Sequence, residues 1–279
     1  KYFLAAFLPE NQALISAKIL KTEQNSLLIN CFQPLKTSLA PEKTGSFPFG
    51  FYCGPKDIDL LKSLKRDLEK VIDFGMFDVI AKPLLYILKY LNKFTHNYGL
   101  AIILLTVILK VIFFPLTHKS YKSMKALKDL QPQMNALKKK YSNDKERLNR
   151  ELFELYRTYK VNPLGGCLPL LVQFPIFIAF YWVLLGSIEL RHAPFAFWIK
   201  DLSSHDPYYI TPILMGISMF IQQKMTPTVG DPTQAKIMLA MPIVFTFLFL
   251  KFPSGLVIYW LVNNILQIFQ QIYIDKRIS

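Results

Sequence analysis

A single lysine stands inside a long apolar run of the sequence. Lys110 is the one charged residue between Tyr98 and Thr117, a stretch long enough to cross the hydrocarbon layer of a bilayer. In a helix it would lie roughly 10 Å from the Thr117 end, where a lysine side chain can reach the headgroups. Thr106, four residues earlier on the same helix face, favours a polar interior instead. A lone lysine in such a place can attract an anion.

A second polar face lies in the last apolar run. Tyr259, Asn263, Gln267 and Gln270 are spaced by four, four and three residues, which a helix brings to one side. Gln173 is a further amide, in an earlier apolar run. Such amides can simply bond helices to one another. Combined with a positive charge and hydroxyls, they favour a wet cavity over a dry core.

The apolar runs lack the residue combinations of hydrolases, proton pumps and metal sites. They contain no nucleophile–base pair, no paired carboxylates and no histidine–cysteine cluster. We therefore predict that the protein is not an enzyme and uses no metal or small-molecule cofactor. Cys31 and Cys53 fall in the polar N-terminal part, where they could pair as a disulfide or remain two free thiols.

Composition points to a membrane. The chain is 52% hydrophobic with a mean hydropathy of +0.26, yet its formal net charge is +14. Apolar spans joined by basic loops produce this combination. A basic protein can also bind nucleic acid, ribosomal RNA included, but here the charge is concentrated beside the apolar runs.

Five apolar segments predict a multi-pass membrane protein. His118–Lys160 contains twelve Lys or Arg residues and Glu189–Asp206 contains two, so the first of these loops is cytoplasmic. The N-terminal part is then extracytoplasmic and the C-terminus cytoplasmic. The predicted spans are Tyr98–Thr117, Leu164–Ile188, Tyr208–Gln223, Ile237–Leu250 and Pro253–Ile274.

Two of these spans are short for a bilayer. Tyr208–Gln223 would cover about 24 Å and Ile237–Leu250 about 21 Å, against roughly 30 Å of hydrocarbon. Such a mismatch thins the bilayer locally, unless flanking residues extend both helices. Thinning beside a polar groove would lower the barrier for a polar chain segment to cross.

The N-terminal part predicts the C-terminal end of a β-domain. Residues 1–75 contain short β-prone runs separated by Pro, Gly and Asn clusters, and Lys56–Asp73 has the apolar spacing of a surface helix. So few strands cannot cover the edges of a sheet. We therefore expect the domain to begin before Lys1.

Residues 76–94 predict an amphipathic helix that lies in the membrane interface. Lys82, Lys89 and Lys93 are spaced so that a helix gathers them on one face, opposite an apolar stripe. A soluble helix packed on the β-domain is the alternative.

Residues 118–160 predict a cytoplasmic helical hairpin. Two apolar seams flank a turn at Ser142–Asp144. Asn143 is placed to cap the second helix, with Glu146 as its partner, and Pro132 should kink or restart the first helix. The lysine-rich outer faces are either simply solvated or dock on a ribosome, a partner protein or acidic headgroups.

Several motifs closely resemble those of the YidC/Oxa insertase family. They cover most of residues 75–275 in the order expected for that family, and residues 1–75 resemble the end of the periplasmic β-domain of its Gram-negative members. The motif segments are Lys160–Cys167, Gln173–Phe177, Glu189–Ala196, Asp206–Ile210, Met225–Pro227 and Phe252–Leu256.

The resemblance implies a mainly α membrane protein with a five-transmembrane-helix insertase core at residues 95–279, including the hairpin 118–160, preceded by the end of a periplasmic β-sandwich domain. It implies a first transmembrane helix ahead of Lys1 and a location in the bacterial inner membrane. It also implies chaperone-like insertion of nascent membrane proteins into the lipid bilayer, alone or with the Sec translocon and the ribosome. The residues alone leave two alternatives: a transporter or channel for a small anionic solute, and an assembly scaffold.

The resemblance also suggests residue roles. The family's hydrophilic groove carries a positive residue, usually arginine, on its first core helix. Lys110 matches that position, although lysine lacks the two-pronged hydrogen bonding of arginine. Pro175 and Phe177 match the family's substrate slide. With the residues inferred from spacing, the predicted groove comprises Thr106, Lys110, Gln173, Tyr259, Trp260, Asn263 and Gln267.

Overall fold

The computed structural model describes the backbone of residues 2–9, 16–21, 27–32, 44, 49–142, 144–162, 168–225 and 232–278. For most of the second and third strands, and for a few residues at strand and helix ends, only the backbone is described. The chain divides into two compact units, Lys1–Ile72 and Asp73–Ser279.

The first unit contains four strands in two antiparallel pairs. They are β1 (Phe3–Pro9), β2 (Ser16–Lys21), β3 (Leu27–Phe32) and β4 (Phe49–Pro55). β1 pairs with β4, which sets Phe7 opposite Phe51 with ring centroids 5.1 Å apart, and β2 pairs with β3. Cys53 in β4 is an exposed free thiol, whereas the side chain of Cys31 lies outside the described part of the chain.

The helix predicted over Lys56–Asp73 is much shorter in the structure. α1 (Ile58–Ser63) begins at Asp57, whose carboxylate accepts hydrogen bonds from the next backbone amides. Lys65 and Asp67 then adopt positive φ angles of 50° and 58°, which end the helix. The prediction of one continuous helix was wrong because the apolar spacing continues across this change of backbone conformation.

The second unit is helical. Its helices are α2 (Asp78–Thr95), α3 (Tyr98–Ile112), α4 (Phe114–Asp129), α5 (Gln131–Lys140), α6 (Lys145–Thr158), α7 (Leu168–Gly186), α8 (Ile210–Met225), α9 (Pro232–Phe249) and α10 (Ser254–Ile278). α10 packs mainly on α3 and α8, and α2 packs on α3 and α7. The long C-terminal helix α10 is therefore the central element of the unit.

Within the described ranges, no single helix is long and apolar enough to cross a membrane, and only α3 and α4 together meet that test. This pair bends by 61° at Phe113, so the single helix predicted over Tyr98–Thr117 is broken four residues before its end. Pro115 follows the break in the first turn of α4, where its missing N–H group is not needed. The count of five spans stays a prediction.

Helix α2 differs from its predicted pattern in one important residue. It buries Ala81, Leu85 and Leu88, as an amphipathic helix should. The three lysines do not share one solvent face, however. Lys89 Nζ lies 3.1 Å from Glu189 Oε1, with the two side chains only 15% and 7% exposed. The residue spacing within α2 could not predict this ion pair, because Glu189 belongs to the loop after α7.

The segment from α4 to α6 follows the prediction with one correction. The helix restarts at Gln131, and Pro132 occupies the first turn of α5, so the predicted restart is confirmed. The cap of α6 is Asp144, whose carboxylate accepts from Arg147 N at 3.0 Å; the prediction of Asn143 as the cap was wrong, and Asn143 itself lies outside the described residues. α5 packs against α6. A cytoplasmic docking role stays a prediction.

Candidate functional site

A partly open cavity of about 350 Å³ lies among α3, α4, α7, α8, α9 and α10. Every predicted groove residue lines it, and so does Phe177; Pro175 lies in α7 but is not among the lining residues. The most exposed lining side chains are Phe174 on α7 and Met241 on α9. The exposed part of the lining therefore lies on α7 and α9.

Lys110 is held by a neutral partner. Its ammonium group donates to Oε1 of Gln267, and Nε2 of Gln267 donates to the Tyr121 hydroxyl at 2.6 Å. The chain of contacts thus runs from α3 through α10 to α4. Among the described residues that line the cavity there is no aspartate or glutamate. The positive charge therefore has a hydrogen-bond acceptor but no counter-ion there.

A second hydrogen-bonded group connects α7 with α10. Gln173 Nε2 donates to Asn263 Oδ1 at 2.9 Å and lies 3.2 Å from the Tyr259 hydroxyl. The spacing of Tyr259 and Asn263 predicted their shared face, and the structure brings Gln173 of α7, also predicted to belong to the groove, into contact with both. Carboxamides both donate and accept hydrogen bonds. This wall can therefore pair with either group of a peptide backbone.

Two predicted polar positions behave differently from the rest. Thr106 lines the cavity but is almost fully buried, and its hydroxyl donates to Ile102 O at 2.7 Å within its own helix. Gln270 is buried and does not line the cavity, and its side-chain amide makes no hydrogen bond among the described residues. The expectation that Gln270 belongs to the polar lining was therefore wrong, although helical spacing places it on the same side of the helix as Tyr259 and Asn263.

Aromatic side chains form another wall. The ring of Phe177 meets that of Trp260 edge-on at 4.6 Å, and Phe249 meets Trp260 at 5.1 Å. Met219 and Met241 also line the cavity, and methionine adapts its shape to varied partners. The cavity thus places an apolar, adaptable wall beside a polar one.

The sequence analysis missed the contribution of α4. Thr117, Ser120, Tyr121 and Met124 all line the cavity, and they recur at the spacing of one helix face. The lysines of this helix occupy other positions. This spacing was visible in the sequence, but the predicted end of the span at Thr117 hid its meaning.

The far end of α3 is covered by the loop between α7 and α8, residues 187–209. Its side chains Leu190 and Leu202 are fully buried. Asn97 Nδ2 donates to Phe195 O at 2.7 Å, and Gly255 N donates to Leu202 O at 3.0 Å. The loop is therefore fixed to the first residues of α3 and α10, and none of its residues lines the cavity.

Asp206 holds this loop to α8. Its buried carboxylate accepts from Thr211 N at 2.8 Å, Thr211 Oγ1 at 2.7 Å, Trp198 Nε1 at 2.9 Å and Tyr208 N at 3.0 Å. Burial by itself would raise the pKa of Asp206, but these hydrogen bonds together outweigh it and hold the pKa below its usual value. The carboxylate is therefore a structural anion.

Asp201 does the same for the middle of the loop. It accepts from Ser203 N and Oγ at 2.8 Å each, from Ser204 Oγ at 2.9 Å and from His192 N at 3.0 Å. Burial again acts to raise the pKa of Asp201, and the hydrogen bonds from the two serines and His192 lower it by more. Both carboxylates are thus saturated with donors from their own loop and the start of α8.

Comparisons with known proteins agree with this architecture. A family model described as "60Kd inner membrane protein" matches residues 90–279, and one described as "YidC periplasmic domain" matches residues 1–87. The proteins named membrane protein insertase YidC from Geotalea daltonii and from Geobacter sp. strain M21 are 57% and 56% identical to this chain over 279 residues. Each match covers all of this chain and 52% of the relative, so the chain spans about half the length of these curated relatives.

A solved structure is also similar. It is described as an active YidC insertase crystal structure with the first transmembrane domain resolved, and it matches with a TM-score of 0.57 and 31% sequence identity. The match covers 78% of this chain and 54% of the other. The family models together match nearly the whole chain, and the relatives share more than half of its residues. The chain therefore belongs to the YidC family of inner membrane proteins.

Proposed function

We propose that the protein is a membrane protein insertase and chaperone that captures hydrophilic tails of nascent membrane proteins in the cavity and passes their hydrophobic segments to lipid. One observation carries this proposal: Lys110 lies in a cavity with an amide partner and no acidic residue in its lining. A charge without a counter-ion, in a place that is costly for charges, is available to an anionic ligand.

The energies favour capture followed by release. Burying a charge near the middle of a membrane costs roughly 3 kcal/mol on insertion scales. A carboxylate about 4 Å from the ammonium group recovers up to about 4 kcal/mol at an effective dielectric constant near 20. Because the two values nearly cancel, an acidic tail is held only transiently. It leaves once the attached hydrophobic segment reaches lipid.

The two walls of the cavity suit the two parts of such a substrate. Gln173 and Asn263 offer donors and acceptors to the backbone of a polar tail. Phe177 and Trp260 form the apolar wall, and the most exposed lining side chains, Phe174 and Met241, lie on α7 and α9. We propose that the hydrophobic segment leaves there, with Pro175 and Phe177 as its slide.

The proposal includes a cellular setting. The relatives are named as insertases and the family as inner membrane proteins. We place this chain in the bacterial inner membrane with residues 118–160 and the C-terminus in the cytoplasm, because that loop carries twelve Lys or Arg residues against two in Glu189–Asp206. The cavity then opens toward the cytoplasm, and the basic loop is available to a ribosome, the Sec translocon or acidic headgroups.

The test compares Lys110→Ala with Lys110→Arg in reconstituted vesicles. Insertion of short membrane proteins with acidic tails should fall about tenfold with alanine, which corresponds to ~1.4 kcal/mol, and should persist with arginine. Insertion of the same substrates with neutral tails should change little. Equal insertion of acidic tails by the wild type and both variants would contradict the capture model.

Crosslinking to a stalled nascent chain locates the substrate. A photo-reactive residue in place of Trp260, which lines the cavity, should crosslink to the chain. The matched control carries the photo-reactive residue in place of Ile243. This residue is an exposed apolar residue of α9 that does not line the cavity. Crosslinks of similar yield from both positions would show that the cavity is not the route.

A further inference from the structure

The loop between α7 and α8 carries aromatic rings that nothing in the described chain covers. Phe197 is 92% exposed and Tyr208 is 66% exposed. Phe197 stacks on Trp198 with centroids 5.9 Å apart, and Trp198 meets Tyr208 at 6.4 Å in an edge-on contact. The three rings therefore form one aromatic group at the start of α8, which we call the aromatic tip.

The loop holds this group in place with unusual backbone geometry. Phe197 has a φ angle of 52°, a left-handed conformation that a bulky side chain rarely adopts. Trp198 is fixed by its hydrogen bond to Asp206. On the inner side Leu190, Ile199 and Leu202 are buried. The loop therefore fixes the three rings at its outer surface, where Phe197 is almost fully exposed.

The aromatic tip continues an exposed apolar surface of α8. Ile210, Ile213, Leu214 and Ile217 are all exposed along that helix. Because the chain belongs to a family of inner membrane proteins, these side chains face lipid tails. Ile217 lies in the middle of α8, and the helix rises about 10 Å from Ile217 to Ile210. The distance from the middle of the hydrocarbon layer to its edge is about 15 Å. Rings just beyond Ile210 then lie near the level of the headgroups.

The charges of the loop fit the same partner. Its carboxylates already have partners within the protein: Glu189 is buried and pairs with Lys89 through Oε1, and both aspartates accept hydrogen bonds from the loop and from the start of α8. Lys200 is an exposed lysine of the same loop. The outward surface therefore combines aromatic rings with positive charge, which suits a layer of phosphate headgroups.

We propose that the aromatic tip inserts into the headgroup region of the bilayer and anchors the α7–α8 loop there. The partner is the lipid surface at the end of the bundle away from α4. This anchor fixes the depth of α8 in the membrane. It also keeps the loop seated on the first residues of α3 and α10, independently of any substrate in the cavity.

Spin labels measure the depth of the loop directly. In the protein with Cys31, Cys53 and Cys167 replaced by serine, a nitroxide is attached after Phe197→Cys or Tyr208→Cys. Vesicles contain phosphatidylethanolamine and phosphatidylglycerol. Both labels should collide more often with oxygen, which dissolves in lipid, than with a water-soluble nickel chelate.

Ser204→Cys is the matched control. Ser204 is exposed and belongs to the same loop, but its carbonyl accepts from Ser254 N at 2.7 Å, above the end of the central helix and away from the edge of the bundle. Its label should favour the nickel chelate. A preference for the chelate at Phe197 and Tyr208 would overturn the proposal. Low collision rates with both reagents there would also overturn it, because they would show that protein covers the tip.

Discussion

Charged side chains have different numbers and kinds of partners at the two ends of helix α3. At its N-terminal end, charged groups have charged or multiple partners: Lys89 pairs with Glu189, and Asp206 accepts four hydrogen bonds. At its C-terminal end, Lys110 has one neutral acceptor, Gln267. Both ends belong to the same unit, so the contrast is not a difference between domains.

Charged groups with several partners stabilise the fold, whereas a charged group with few partners can bind a ligand of opposite charge. A saturated charge stabilises the native state and offers nothing to a ligand, because its hydrogen-bonding capacity is used. An unsaturated charge in an apolar protein lowers stability and gains when a ligand of opposite sign arrives. Buried Ser120 Oγ and Gln223 Nε2, which belong to lining residues, also lack partners among the described residues. Two polar lining side chains besides Lys110 thus have hydrogen-bonding capacity that no described residue uses.

The largest effect should come from removing one partner of the buried ion pair between Lys89 and Glu189. Lys89→Met leaves Glu189 buried beside a thioether, and losing one partner of a buried ion pair costs about 3 kcal/mol or more. We therefore expect a clear fall in the thermal stability of the purified protein. The matched variant Lys82→Met removes a more exposed lysine of the same helix and should change stability little. Equal, small effects of both substitutions would mean that the Lys89 pair is not structural.

Removing the unsaturated charge should have the opposite pattern. Lys110→Met should leave thermal stability unchanged or raise it, because no carboxylate loses a partner and an ammonium group leaves an apolar region. Insertion of acidic-tailed substrates should nevertheless fall about tenfold, or ~1.4 kcal/mol. The two assays on one preparation test this directly. A loss of stability as large as that of Lys89→Met would make Lys110 a structural residue.

Saturating the lysine without removing it sharpens the contrast. Gln267→Glu replaces the carboxamide that accepts a hydrogen bond from Lys110 with a carboxylate. The ammonium group of Lys110 then has a counter-ion within the protein. Insertion of acidic-tailed substrates should fall roughly fivefold, or ~1 kcal/mol, although the lysine is still present. Gln267→Met removes the same hydrogen bond without adding charge and should have a weaker effect. Better insertion by the glutamate variant would show that the lysine does not bind anionic tails.

Much of the cavity could be predicted because helical spacing places residues on faces. Tyr259, Asn263 and Gln267 recur at intervals of four, and the structure brings them to one wall. The same spacing also includes Gln270, but this residue is buried and does not line the cavity. Spacing gives a direction around a helix, but only packing decides where the cavity ends.

The partners of the charged groups could not be predicted. Lys89 and Glu189 are 100 residues apart in sequence, and nothing local marks them as a pair. The bend at Phe113 was equally hidden, since the apolar run continues through it. As a result the sequence placed Tyr121 in a cytoplasmic hairpin, whereas its hydroxyl accepts from Gln267 inside the cavity.

The smallest expected effect is a dependence of stability on acid pH, and it should come from the saturated end alone. The pKa values of Asp201 and Asp206 are lower in the folded protein than their usual value of 3.8. Their contribution to stability is therefore complete above about pH 4 and is lost as the pH falls through the folded-state pKa values. Lysine carries its full charge throughout this range, so Lys110 in the cavity adds nothing to the pH dependence of stability.

Unfolding measured from pH 5 downward should show a loss of stability that is smaller in Asp206→Asn, which is less stable at pH 5 but has one fewer group to protonate. The same slope in the wild type and in this variant would mean that Asp206 is not the saturated anion its hydrogen bonds indicate, and that the contrast between the two ends of α3 rests on Lys89 and Glu189 alone.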